Sequence, residues 1–247
     1  FFSNFFLQFV NLDNSFFFLG NDRIIYRTMG YQLKPISTFP ISQKIESYST
    51  VSDAYAFTYV ISGHKFYAIT FPSANATWEY DLTTELWHER QSENVAQNQG
   101  QWRATTQVFF DNLNLFGDFE TGIIYQADPT VYTENGATII RKVITATQFA
   151  NYSRATIDRL ILMMDTGFGL ISGQGSEPRI MLRTSLDGAR TWGYEETQPL
   201  GTQGQYETEV FWTSLGYGRT AIFEFSMSDP IKFAIVGAFL NSTLGDS

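Results

Sequence analysis

The sequence predicts an all-β chain, with β-propeller-type blades first and a β-sandwich-like or propeller-closing C-terminal region after them. Three observations carry this. Aromatic residues make up 17% of the 247 residues, with 23 Phe and 13 Tyr, and such side chains suit a pleated, half-buried surface. Short runs of alternating apolar and polar residues are separated by Gly, Asn, Asp and Pro, the pattern of hairpins. No stretch rich in Ala, Glu, Lys and Leu is present to form a long helix.

The elements follow in order. Residues 1–10 are apolar, but they lack a basic start and contain Asn4 and Gln8, so they read as neither a signal peptide nor a membrane span. The chain begins without Met in strand-like sequence, which suggests part of a longer protein. Residues 15–19 form a strand, Gly20-Asn21-Asp22 a turn, and 24–29 the return. Pro35 and Pro40 interrupt pairing, and 41–48 make a helical turn or two.

The clearest unit comes next. Strands are expected at 54–61, 66–71, 77–81 and 87–90, joined by turns at 62–65, 72–76 and 82–86. Four short antiparallel strands in about 40 residues match one propeller blade. Residues 91–101 read as a polar linker. Strands at 102–110, 113–118 and 122–127 then repeat the theme.

The texture changes near residue 150, where we place a domain boundary. Residues 1–150 are read as propeller-like blades, an incomplete set, and 151–247 as a β-sandwich-like or closing β-region. In the latter, strands are expected at 157–165, 179–185, 208–215, 220–226 and 231–240, with a Gly-rich loop at 167–176.

Charge and composition exclude several functions. Formal net charge is −9, and the 16 basic residues are scattered, with Arg141-Lys142 the one adjacent pair. A DNA-gripping surface needs a Lys/Arg stripe, which is missing. There is no Cys, hence no disulfide or thiolate metal site. The only two His, His64 and His88, show no metal-ligand spacing. Glu79, Asp81, Glu85 and Glu89 offer carboxylate pairs of the kind a glycosidase uses, yet alternating strands create such pairs by chance. Gly167-Phe168-Gly169 and Gly173-Gln174-Gly175 do not follow a strand and open a helix, as a nucleotide loop would.

One motif stands out. Ser185-Leu186-Asp187-Gly188-Ala189-Arg190-Thr191-Trp192 resembles the Asp-box of propeller proteins, Ser-x-Asp-x-Gly-x-Thr-Trp, with Ala189 in the usual Gly position. Its expected role is structural, with Ser185, Asp187, Thr191 and Trp192 as the motif residues: the Asp187 carboxylate accepts backbone N–H bonds across a tight hairpin, and Trp192 packs beneath.

Longer stretches resemble one family. Asp53-Ala54-Tyr55-Ala56-Phe57-Thr58-Tyr59, Gly63-His64-Lys65-Phe66-Tyr67, Thr70-Phe71-Pro72, Thr77-Trp78-Glu79-Tyr80-Asp81 and Leu86-Trp87-His88-Glu89-Arg90 come first. Trp102-Arg103-Ala104, Gly117-Asp118, Gly122-Ile123-Ile124-Tyr125, Leu200-Gly201, Trp212, Leu215-Gly216 and Ser228-Asp229-Pro230 follow. In this order they resemble the packaged-DNA stabilisation proteins, or tail hub proteins, of short-tailed bacteriophages. That family's chain is usually longer, and the resemblance places this one at its C-terminal part. The resemblance implies a virion tail protein assembled in the host cytoplasm. It implies a ring of copies, six of them, that closes the DNA channel below the portal. Its partners would be a portal adaptor and other tail proteins, with DNA passing unbound. It brings no catalytic residue, cofactor or metal. The alternatives are a carbohydrate-active propeller of sialidase or glycosidase type and a glycan-binding receptor module.

Overall fold

The computed structural model describes residues 9–94, 97–149 and 153–245, so most of the apolar segment 1–10 lies outside the described residues. Among the described residues no helix is long and apolar enough to cross a membrane. The chain divides into two compact units, Phe1–Asp128 and Pro129–Ser247.

The first unit holds three successive antiparallel meanders. The first comprises β1 (Val10–Leu12), β2 (Ser15–Leu19), β3 (Ile25–Met29) and β4 (Gln32–Pro35), hydrogen-bonded in chain order. A single helix α1 (Phe39–Glu46) follows, with Pro40 in its first turn, where a missing N–H costs nothing. Ile41 and Ile45, one turn apart, are its buried face. Arg23 closes its far end, donating to the carbonyls of Glu46 (2.6 Å) and Tyr48 (2.8 Å) and, at 3.4 Å, to that of Ile45, which also accepts the Tyr48 N–H.

The second meander is β5 (Tyr55–Ile61), β6 (His64–Phe71), β7 (Ala76–Asp81), β8 (Leu86–Glu93) and β9 (Gln99–Gln101). A one-turn 3-10 helix, Pro72–Ala74, joins β6 to β7. The third is β10 (Ala104–Phe110), β11 (Leu113–Asp118) and β12 (Ile124–Gln126).

Alternation along the strands places the second sheet between the other two. Tyr67, Ile69 and Phe71 of β6 pack with Phe17, Leu19 and Ile25 of the first sheet and with Ile41 and Ile45 of α1. Phe57, Tyr59 and Ala68, on the opposite face, pack with Trp102, Ala104 and Phe116. Residues 67–71 of β6 are consequently all buried, as a strand covered on both faces requires.

The second unit is a two-sheet sandwich. After the small hairpin β13 (Thr133–Glu134) and β14 (Ala137–Thr138) come β15 (Arg141–Ile144), β16 (Gln148–Phe149), β17 (Ala155–Met164) and β18 (Arg179–Ser185). β19 (Glu196–Pro199), β20 (Val210–Gly218), β21 (Thr220–Met227) and β22 (Ile235–Leu244) complete it. One sheet has the order β15-β21-β18-β19, with β16 also on β21; the other is β20-β17-β22.

The core lies between these sheets, with Ile180, Leu182, Phe223 and Phe225 meeting Leu160, Leu162, Val210 and Trp212. The Trp212 and Phe225 rings are 5.9 Å apart. A bulge between Ile157 and Arg159 shifts the register of β17, so that Ile157 and Leu160 both point inward despite opposite parity.

Four expectations change. The chain divides at residue 128 rather than near 150, because β15 pairs with β21 from Arg141↔Met227 to Ile144↔Glu224. The supposed linker 91–101 is largely hairpin: Gln91↔Gln101 and Glu93↔Gln99 are paired, the backbone ladder holding strands whose side chains are mostly polar. β4 pairs despite Pro35, which is tolerable because β4 is an edge strand. The last strand starts later than residue 231: Ile231 is instead a buried loop residue.

Candidate functional site

Among the described residues the buried carboxylates Glu79, Asp81, Asp118 and Glu224 are each bound by neighbouring side chains, and several partly exposed ones close turns. At Ser185-Leu186-Asp187, the Asp187 Oδ1 accepts the backbone N–H of Arg190 (3.0 Å) and Thr191 (2.9 Å) and the Ser185 hydroxyl (2.9 Å). Its Oδ2 accepts the Thr191 hydroxyl at 2.6 Å, and Ser185 Oγ in turn accepts the N–H of Ala189 at 2.9 Å. Hydrogen bonds from the Thr191 hydroxyl and then the Thr191 amide hold the Asp187 carboxyl at about 2, below the usual range. Gly188 (φ 77°) and Ala189 (φ 67°) both take left-handed backbone, so Ala189 occupies a place that favours glycine.

Trp192 departs from expectation. It is half-buried rather than packed beneath the turn, and the Arg183 guanidinium sits 5.5 Å from its ring centroid. The turn is therefore tied by Ser185, Asp187 and Thr191, with Trp192 as a surface plate for Arg183.

Two turns of related design went unrecognised in the sequence. Asp81, at the end of β7, accepts the N–H of Thr83 and the hydroxyl of Thr84, both at 2.8 Å. Asp118, at the end of β11, accepts the N–H of Glu120 at 2.7 Å and the hydroxyl of Thr121 at 2.5 Å. Each is also joined from a neighbouring strand or loop, Asp81 by His64 Nδ1 at 2.7 Å and Asp118 by Arg103 Nη1 at 3.0 Å. Burial works against ionisation at both, but the converging donors outweigh it and hold both carboxyls below the usual range. The shared spacing Asp-x-x-Thr, in Asp81-Leu82-Thr83-Thr84 and Asp118-Phe119-Glu120-Thr121, was the available signal.

The proposed glycosidase pair is not assembled. Glu79 is 3% exposed and accepts the Tyr59 hydroxyl, with Arg90 Nε 3.8 Å away. Asp81 is occupied as described. Glu85 is exposed beside Lys34 at 3.8 Å, and Glu89, exposed on β8, accepts from Gln91 at 3.2 Å. His88 is exposed on the same strand. No group of three or more His, Asp or Glu placed to hold a metal occurs among the described residues.

The basic pair is also engaged internally. Arg141 donates to the carbonyls of Asp229 and Ile231, and burial lowers its pKa; Lys142 lies 3.3 Å from Glu224.

Meander sheets followed by a sandwich, with their buried carboxylates tied into turns and cross-strand pairs, define a β-structural protein. Comparison with known families specifies which one. Residues 8–132 match the family model described as bacteriophage P22 Gp10, beta-propeller, and residues 141–242 the one described as bacteriophage P22 Gp10, beta-sandwich. The chain belongs to the P22 Gp10 family, packaged-DNA stabilisation proteins among the tail accessory proteins of short-tailed phages, and is a phage tail structural protein. No curated protein matches it. A solved structure titled "Glycoside hydrolase" aligns over 92% of this chain and 70% of its own, at 8% identity and a TM-score of 0.20, too low to carry an argument.

Proposed function

We propose that this protein forms a closed ring of six copies beneath the portal of a short-tailed phage. There it closes the DNA channel, stabilises the packaged genome and attaches neighbouring tail parts. The observation that carries the reading is the ordered pair of family matches, propeller then sandwich, over residues 8–132 and 141–242. Its action is mechanical, not enzymatic. The buried acids Glu79, Asp81 and Asp118 are each held by hydroxyls, amides or cations, which suits a structural role for them.

The charge balance suits a channel through which DNA must slide. At a net charge of −9, with Arg141 donating to backbone carbonyls and Lys142 beside Glu224, the protein repels duplex and leaves it mobile. Electron cryomicroscopy of the phage particle tests the proposal. A six-fold ring of this chain below the portal is the expected result; its location elsewhere in the virion, or as single copies, would overturn it.

A further inference from the structure

One exposed turn carries a chemistry of its own. β13 and β14 are joined by Asn135 and Gly136, both exposed and both in left-handed backbone, with φ of 50° and 79°. Positive φ at both positions is the two-residue hairpin turn that Asn-Gly favours. Asn135 is also the one asparagine of the sequence that glycine follows.

Such a pair can react with itself. The Gly136 backbone nitrogen, once solvent base has taken its proton, attacks the side-chain carbonyl carbon of Asn135. The bond to the side-chain nitrogen breaks, ammonia leaves, and a five-membered succinimide ring remains. Water then adds to either ring carbonyl and reopens the ring as aspartate or isoaspartate. Glycine permits the attack because no β-carbon crowds its nitrogen and its backbone turns freely. Nothing lies within 4 Å of where a β-carbon on Gly136 would sit.

Two features separate this asparagine from others in the chain. Asn75 is held by the Gln101 N–H at 2.8 Å and Asn114 by the Val60 carbonyl at 2.7 Å, whereas the Asn135 side chain has no hydrogen-bond partner among the described residues. The hairpin around it is also minimal. Only Thr133↔Thr138 and Glu134↔Ala137 pair, and β13 and β14 form a sheet by themselves. A lone two-stranded hairpin is marginal in water, so local opening lets the side chain reach the nitrogen. The Asp187-Gly188 pair shows the contrast, since its carboxylate is fixed by Ser185, Arg190 and Thr191.

We propose that Asn135 is a site of spontaneous deamidation in the folded protein, and that its isoaspartate product dissolves the β13–β14 hairpin. Isoaspartate routes the main chain through the former side chain and adds a methylene, which a turn of fixed length and register cannot absorb. The site falls between the matched stretches 8–132 and 141–242, on the chain that joins them. It does not depend on the ring.

Mass spectrometry of the purified full chain, held at mildly alkaline pH, tests this. Trypsin releases residues 104–141 as one peptide, in which Asn112 and Asn114 serve as internal references. The mass gain of an amide replaced by a carboxyl should appear at Asn135 before either of them. It should quicken as pH rises, because the nitrogen attacks only after losing its proton. An isoaspartyl methyltransferase should label the same peptide. Asn135→Gly, which keeps a turn of positive φ, should remove both signals. Proton NMR contacts between Thr133 and Thr138 should fade as isoaspartate accumulates and persist in the variant. An Asn135 that stays intact in the native chain while the urea-unfolded chain converts it would overturn the proposal. So would earlier conversion of another asparagine, or cross-strand contacts that survive in the isoaspartate form.

Discussion

Arg103 and Asp118 form the most enclosed ion pair among the described residues, Nη1 to Oδ2 at 3.0 Å, with side-chain exposures of 7% and 0%. Arg103 also donates to the carbonyl of Glu93 at 2.7 Å, so it joins the β8–β9 hairpin to the end of β11. A buried pair of this kind is costly to break from one side only, because the remaining charge is stranded. Asp118→Leu should therefore cost about 3–5 kcal/mol, whereas Arg103→Met combined with Asp118→Leu should cost less than either Arg103→Met or Asp118→Leu alone. Urea unfolding of the three variants checks this, and a double variant weaker than both singles would refute it.

The turn at Asp187 should respond to acid. Its carboxyl is held at about 2, below the ordinary unfolded value near 4. A depressed folded pKa contributes stability above the unfolded value that is lost as pH falls from about 4 toward 2. Asp187→Asn should flatten that part of the stability profile. Carboxyl titration by NMR should place Asp187 well below the exposed aspartates; a midpoint near 4 would contradict the hydrogen bonding described.

Ala189 takes a left-handed conformation that costs an L-residue about 1–2 kcal/mol. Part of the relief on Ala189→Gly is offset by greater freedom in the unfolded chain. The expected gain is about 0.5–1 kcal/mol, seen as a higher melting temperature. A lower melting temperature would show that the methyl group makes a contact of its own.

Trp192→Ala should cost about 0.5–1 kcal/mol, the range of an exposed cation–aromatic contact, and not the 3–5 kcal/mol of a buried indole. Arg183→Ala in the Trp192→Ala background should then add little. Thermal unfolding of the single and double variants separates the two cases.

Tyr67 is fully buried between the first two sheets, its hydroxyl has no partner among the described residues, and burial drives its pKa far upward. Removing an unsatisfied hydroxyl without changing the ring should be neutral or stabilising by about 1 kcal/mol. Tyr67→Phe measured by denaturant unfolding decides this; a loss of more than about 1 kcal/mol would mean that the hydroxyl is satisfied.

The sequence made the strands with one apolar face legible. Tyr67, Ile69 and Phe71, or Leu160 and Leu162, repeat every second residue and bound the core without reference to any contact. Strands lacking that pattern were missed. Gln32–Pro35 is exposed along its whole length, and Glu196–Pro199 nearly so; both are held by backbone ladders that leave no trace in side-chain choice. Residues 141–144 escaped because their partner, β21, lies far along the chain, Arg141 pairing with Met227 and Ile144 with Glu224. The Asp187 turn was readable since all its bonds fall within seven residues, whereas His64 with Asp81 and Arg103 with Asp118 depend on strand register.

The two units differ in how soon their strands can meet during synthesis. In the first, every sheet is hydrogen-bonded in chain order, so each strand finds its partner as soon as it is made. In the sandwich, β15 waits for β21, and β17 waits for β22 at the end of the described chain. Pairings of long sequence separation close slowly, because loop entropy is lost before contacts compensate for it. On a ribosome the meanders would be protected first, while Arg141–Ile144 and Ala155–Met164 stay open until the last strands emerge. Those two segments are where a chaperone would engage a nascent chain of this protein. Pulsed hydrogen exchange during refolding should show their amides protected last.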